Sequence, residues 1–98
     1  MSKNDVVLDG LKIFSESDVH RYLADLLDFG PYYGSNLDAL WDRLSTDVER
    51  PVKITWVHSE LSKQRLGDRF DKIIQIFERT KKQDIDFSWD DKFDYVLE

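Results

Sequence analysis

The sequence contains no cysteine, which excludes disulfide staples and thiolate metal sites. Proline occurs only twice and glycine four times, so breaks in the chain are few and each is informative. No apolar run approaches the roughly 18 residues that a membrane-spanning helix needs. The N-terminal MSKNDVVLDG lacks the apolar core of a secretory signal, and a cytoplasmic protein is expected. His20 and His58 are too far apart to form a ligand motif. Each is expected at the surface or partly packed, and no metal or cofactor is expected. The glycines from Gly30 to Gly34 come without a phosphate-loop lysine, and Ser45 has no matched base. Few enzymatic chemistries remain.

What is present is a chain of 98 residues, 41% hydrophobic, enough for one modest core and one domain spanning 1–98. Its formal net charge is −6, and the acid is unevenly placed. Residues 1–50 hold ten acidic and five basic side chains, whereas residues 51–98 hold ten and nine. Direct nucleic-acid binding needs clustered Lys and Arg, so this balance argues against it. It suits a cationic protein partner.

Along the chain, Asp5 to Leu8 reads as a strand ending at the turn dipeptide Asp9-Gly10. Val19, Tyr22, Leu23, Leu26 and Leu27 recur at helical spacing, predicting a helix from about Ser17 to Asp28, stopped by Gly30-Pro31. Val52 to Val57 is rich in β-branched residues and reads as a second strand, with Pro51 at its edge. Ser59 to Arg65 allows a short helix closed by Gly67. Asp68 is expected to cap the next helix, with Phe70, Ile73, Ile74 and Phe77 facing the core and Arg79, Lys81 and Lys82 in its last turn. An acidic stretch from Asp84 to Asp91 precedes a final strand from Phe93 to Leu97. Strands separated by helices point to an α/β fold with a parallel sheet.

The most telling stretch is Tyr32 to Pro51. Asn36 is a good N-cap for a helix running to about Thr46, and Leu37, Leu40, Trp41, Leu44 and Val48 give it one apolar face. Asp38 and Asp42, four apart, form a stripe beside that face, with Ser45 continuing it. Like charges at this spacing repel by a few tenths of a kcal/mol, so a cationic counterpart outside the helix is expected. A hard metal would need more oxygen ligands than this pair supplies. General acid–base work would need a desolvated carboxylate, and this face reads as exposed.

The run YYGSNLDALW from Tyr32 to Trp41, followed by Asp42, Glu49 and Pro51, resembles the barstar family of intracellular ribonuclease inhibitors. The likeness runs without a gap from Tyr32 to Phe77, taking in Trp56 and the SKQ at Ser62 to Gln64, with a looser match on either side. The resemblance implies three parallel strands with about four helices packed on the sheet, and a cis bond before Pro51. It also implies that Tyr32, Asn36, Asp38, Trp41 and Asp42 contact the active site of a ribonuclease. Four positions depart from the family pattern. Asp47 stands for a tryptophan, Ser35 for a glutamate, Thr46 for a glycine and Arg79 for an interface glutamate.

The expected function is therefore inhibition of a basic, toxic ribonuclease by occlusion, with the free inhibitor monomeric and no chemistry of its own. Asp42 is expected in the cationic cleft, with Asp38 pairing a second cation and Tyr32 and Trp41 excluding water. Gly34, Asn36 and Ser45 are candidate hydrogen-bonding or backbone contacts. Asp47 and Glu49 extend the acid, and Arg79 lies at the rim. The alternative is a regulatory or scaffolding module that binds a basic protein through the same face.

Overall fold

A computed structural model describes residues 5–98. Strand β1 (Asp5–Asp9) leads through a 3-10 turn (Gly10–Lys12) to helix α1 (Glu16–Leu26). Helix α2 (Leu37–Asp42) runs directly into a π turn (Arg43–Asp47), and β2 (Val52–Val57) follows. Helices α3 (Ser59–Leu66) and α4 (Asp68–Asp86) then lead to β3 (Phe93–Leu97). The three strands form one parallel sheet in the order β1-β2-β3, with four helices, an α/β fold. No helix among the described residues is long and apolar enough to cross a membrane.

The alternation of side chains along each strand decides which face the helices cover. Leu8, Val52, Ile54, Trp56 and Phe93 are buried, while Val7 and Lys53, one position out of phase, are exposed. Trp56 and Phe77, both expected in the core, are fully buried there. The Trp56 ring lies 5.0 Å from that of Phe70 and 6.3 Å from that of Phe77, and its Nε1–H donates to the Ser62 hydroxyl at 3.0 Å. The indole thus buries its whole area with its one polar group satisfied. Gly10 is required at the end of β1. A Cβ there would fall on the carbonyls of Val57 and His58 and on the Ser62 hydroxyl.

Several local expectations are corrected. Helix α4 is capped by Gly67, and Asp68 is its first residue. The helix also continues to Asp86, so Arg79, Lys81 and Lys82 lie before its last turn, which holds no basic residue. The cause is tertiary. Asp84 is fully buried at the end of this helix, where it pairs with Arg50 at 2.7 Å and accepts from the Phe93 amide at 2.7 Å. This anchor holds the helix end and the start of β3 together. The bond between Arg50 and Pro51 is cis. His20, expected at or near the surface, is instead buried, because both ring nitrogens find partners inside.

Candidate partner-binding face

Asn36 starts α2 by accepting the Ala39 amide on its side-chain oxygen at 2.8 Å, and its amide nitrogen lies 3.4 Å from the Gly34 carbonyl. The cap satisfies one of the helix's orphan donors and closes the Gly34–Asn36 loop. From that start Leu40 and Leu44 point into the core, Trp41 is half-buried, and Asp38 and Asp42 are exposed. Among the described residues neither aspartate has a basic nitrogen within 4.0 Å. Among the described residues no ion pair compensates their charge.

The end of α2 differs from a regular helix. Val48 donates to the Arg43 carbonyl, five residues back, at 3.1 Å. The widened turn lets the Thr46 hydroxyl reach the Asp42 carbonyl at 2.6 Å. Short π segments of this kind recur at functional sites. Ser45 does not continue the exposed acidic stripe. It is only 8% exposed, and its carbonyl accepts from the Gln83 side chain at 3.2 Å. Asp47 is exposed and pairs with Arg43 at 3.1 Å, one turn earlier. It shares a groove with Asp28, Val48 and the exposed Glu49, whereas Asp38 lies in another.

That second groove runs between α2 and α4, lined by Leu37, Asp38, Trp41, Lys72, Ile76 and Arg79. The Arg79 guanidinium carbon stands 3.9 Å over the Trp41 ring, a cation–π contact. The structure thus brings Asp38, Trp41 and Arg79 together and sets Asp47 and Glu49 beside Asp28. Lys72 was not singled out from the sequence. Its spacing of seven residues from Arg79 places both on one face of α4, which was a readable signal.

Before α2, Tyr32 and Tyr33 part company. Tyr32 is 90% exposed. Tyr33 packs its ring 4.7 Å from that of Phe29 and joins its hydroxyl to His20 Nδ1 at 2.6 Å. Nε2 of His20 is 2.8 Å from the Glu16 carboxylate, which Arg69 approaches at 3.6 Å. Burial, reinforced by Glu16, pushes the Tyr33 hydroxyl above the usual tyrosine range, so it remains a donor. Among the described residues no cluster of three or more metal-ligating side chains occurs.

This arrangement has relatives among known proteins. A Bacillus subtilis (strain 168) protein named "Putative ribonuclease inhibitor YrdF" is 33% identical over 78 residues, covering 80% of this chain and 86% of that protein. The family model described as Barstar (barnase inhibitor) matches residues 4–96, all of the described elements but the last residue of β3. With its parallel sheet, its Asn36-capped helix and that near-complete match, the chain belongs to the barstar family.

Proposed function

We propose that this protein is an immunity protein or antitoxin that binds a toxic ribonuclease and covers its active site. One observation carries the reading. Tyr32 is 90% exposed on the loop that leads into α2, where Asp38 and Asp42 are exposed and unpaired among the described residues. An exposed aromatic beside uncompensated acids is costly to keep in water alone and favourable against a cationic, partly apolar cleft. A ribonuclease needs such a cleft to hold its phosphodiester.

In this reading Asp42 occupies the place of a substrate phosphate and Asp38 pairs a second cation. Tyr32 and Trp41 exclude water around those pairs, which strengthens them by lowering the local dielectric. Gly34 and Asn36 offer backbone and amide contacts at the start of the helix, while Glu49 adds to the attracting field. Ser45 and Asp47, turned inward or already paired, support the helix more than they meet a partner. The inhibitor works by covering the cleft and does no chemistry. The test is affinity capture from the source cell with wild-type protein and with Asp42→Ala, followed by an RNA-cleavage assay of what is bound. A basic ribonuclease retained by wild type, inhibited by it and lost from the variant is the expected result. A non-nuclease as the main partner would sink the reading.

A further inference from the structure

The end of α4 leaves three large apolar side chains in water. Ile85, Phe87 and Trp89 are 53%, 60% and 40% exposed, and the Phe87 and Trp89 rings stand 5.5 Å apart. The backbone beneath them is fixed. The Ser88 amide donates to the Ile85 carbonyl at 3.0 Å and the Trp89 amide to the Asp84 carbonyl at 3.3 Å, the paired bonds of a Schellman closure. Ser88, at φ 56°, takes the left-handed position that glycine usually fills. In such closures the next residue usually packs back on an apolar side chain of the helix's last turn. Here that place belongs to the buried Asp84. Trp89 lies instead by Arg50, its ring centre 5.7 Å from the guanidinium carbon, and stays partly exposed.

We propose that this aromatic cap is a second docking surface for the cationic protein that meets α2, and that it grips a patch carrying Lys or Arg beside an apolar side chain. Area and charge carry the assignment. The three side chains offer on the order of 300 Å², well short of the roughly 800 Å² that each partner buries in a stable complex. The cap therefore serves as an extension of a larger surface, and the end of α2 adjoins it. The Arg50 guanidinium beside Trp89 also donates to the Val48 carbonyl at 2.6 Å, and Gln83 reaches the Ser45 carbonyl at 3.2 Å. The exposed run from Ile85 to Lys92 holds three acids against one base. Lys81 and Lys82, beside Ile85, are already paired with Asp94 and Asp86 at 3.2 and 3.3 Å. Asp90 and Asp91 have no basic nitrogen within 4.0 Å among the described residues. RNA, an anionic bilayer or a second copy of this chain at net −6 would bring like charge. The proposal rests on the reading that a cationic protein binds the α2 face, and it does not need that protein to be a nuclease.

Wild type is tested against Phe87→Ser, which keeps Trp89 as a reporter, and against Asp90→Lys with Asp91→Lys, which keeps both rings. The first probe is a twelve-residue peptide of alternating lysine and leucine. It should shift the Trp89 indole NMR signal and leave that of the buried Trp56, with Phe87→Ser weakening the response at least about fivefold. The same peptide with glutamate for lysine should give no shift. The second probe is the protein that wild type retains in the capture experiment, purified and followed by stopped flow. Phe87→Ser should raise its off-rate at least about fivefold and leave the on-rate alone, whereas the double lysine variant should slow the on-rate. Thermal unfolding should match wild type, since all three positions are exposed. If Phe87→Ser lowers the melting temperature, the double lysine variant decides by its on-rate. No response at Trp89, a response that Phe87→Ser leaves unchanged, or an off-rate indifferent to Phe87→Ser overturns the proposal. So does dimerisation of the free protein that Phe87→Ser abolishes, because the cap then belongs to a second copy. A captured non-nuclease that leaves Phe87→Ser faster supports the cap and sinks the ribonuclease reading. A ribonuclease released equally fast by both proteins does the reverse.

Discussion

The Tyr33 hydroxyl lies 2.6 Å from Nδ1 of His20 and so ties the loop before α2 to the buried face of α1. Nε2 of the same ring lies 2.8 Å from the Glu16 carboxylate, which accepts its proton, so both ring nitrogens have a partner. The exposed Tyr32 is thus carried on a backbone anchored one residue later. Tyr33→Phe leaves a buried imidazole nitrogen without a partner, and the expected loss of stability is about 1–3 kcal/mol. Urea unfolding measures it. Partner affinity should fall less than for changes at the aspartates, because the variant loosens the loop without removing a contact. An unchanged urea midpoint would show that the hydrogen bond does not anchor the loop.

Asp42→Ala should weaken partner binding more than any other single truncation on the face. It leaves a desolvated cationic pocket unpaired, and hot-spot truncations in tight complexes, barnase–barstar itself among them, cost about 2–8 kcal/mol. Folding should be unaffected, since alanine is the better helix former at an exposed position. Titration calorimetry with the captured ribonuclease, alongside thermal unfolding, separates the two effects. Binding that stays within about tenfold of wild type would remove Asp42 from the centre of the interface.

Acid should destabilise the fold through Asp84. Burial alone would raise its pKa, but the Arg50 guanidinium and the Phe93 amide outweigh that and hold it below the usual carboxylate range. Because the folded value lies below the unfolded one of about 3.9, the contribution is fully present at neutral pH. It is lost as pH falls below about 4 and through the folded value. Asp84→Asn should therefore flatten part of the acid limb in a series of urea unfolding curves. Arg50→Ala, which strands a carboxylate that is 0% exposed, should cost about 3–5 kcal/mol at neutral pH. Equal acid sensitivity in wild type and Asp84→Asn would assign the effect to other carboxylates.

Association should depend steeply on salt. The net charge of −6, weighted toward residues 1–50, attracts a basic partner over distances that screening cuts from roughly 10 Å at 0.1 M to roughly 3 Å at 1 M. In stopped-flow measurements the on-rate should drop across that range while the off-rate changes little. An on-rate indifferent to salt would argue that the acidic face does not guide docking.

The sequence by itself determined the order of elements and most of their bounds. Val52 to Val57 alternates in the sequence and alternates in burial, and Asn36 begins its helix as its short amide predicts. The acidic stripe of Asp38 and Asp42 was legible for the same reason. Periodicity and capping act between residues a few positions apart, so a linear reading captures them. The contacts that finish the candidate site act across the fold. Arg50 meets Asp84 34 residues away, His20 meets Tyr33 13 away, and Arg79 covers Trp41 from a different helix. Each depends on how α1, α2 and α4 pack against the sheet. That packing buried His20, turned Ser45 inward and carried α4 beyond its basic residues to Asp86. Side-chain pairing across elements follows from volume and register at the helix contacts, quantities that no local pattern encodes.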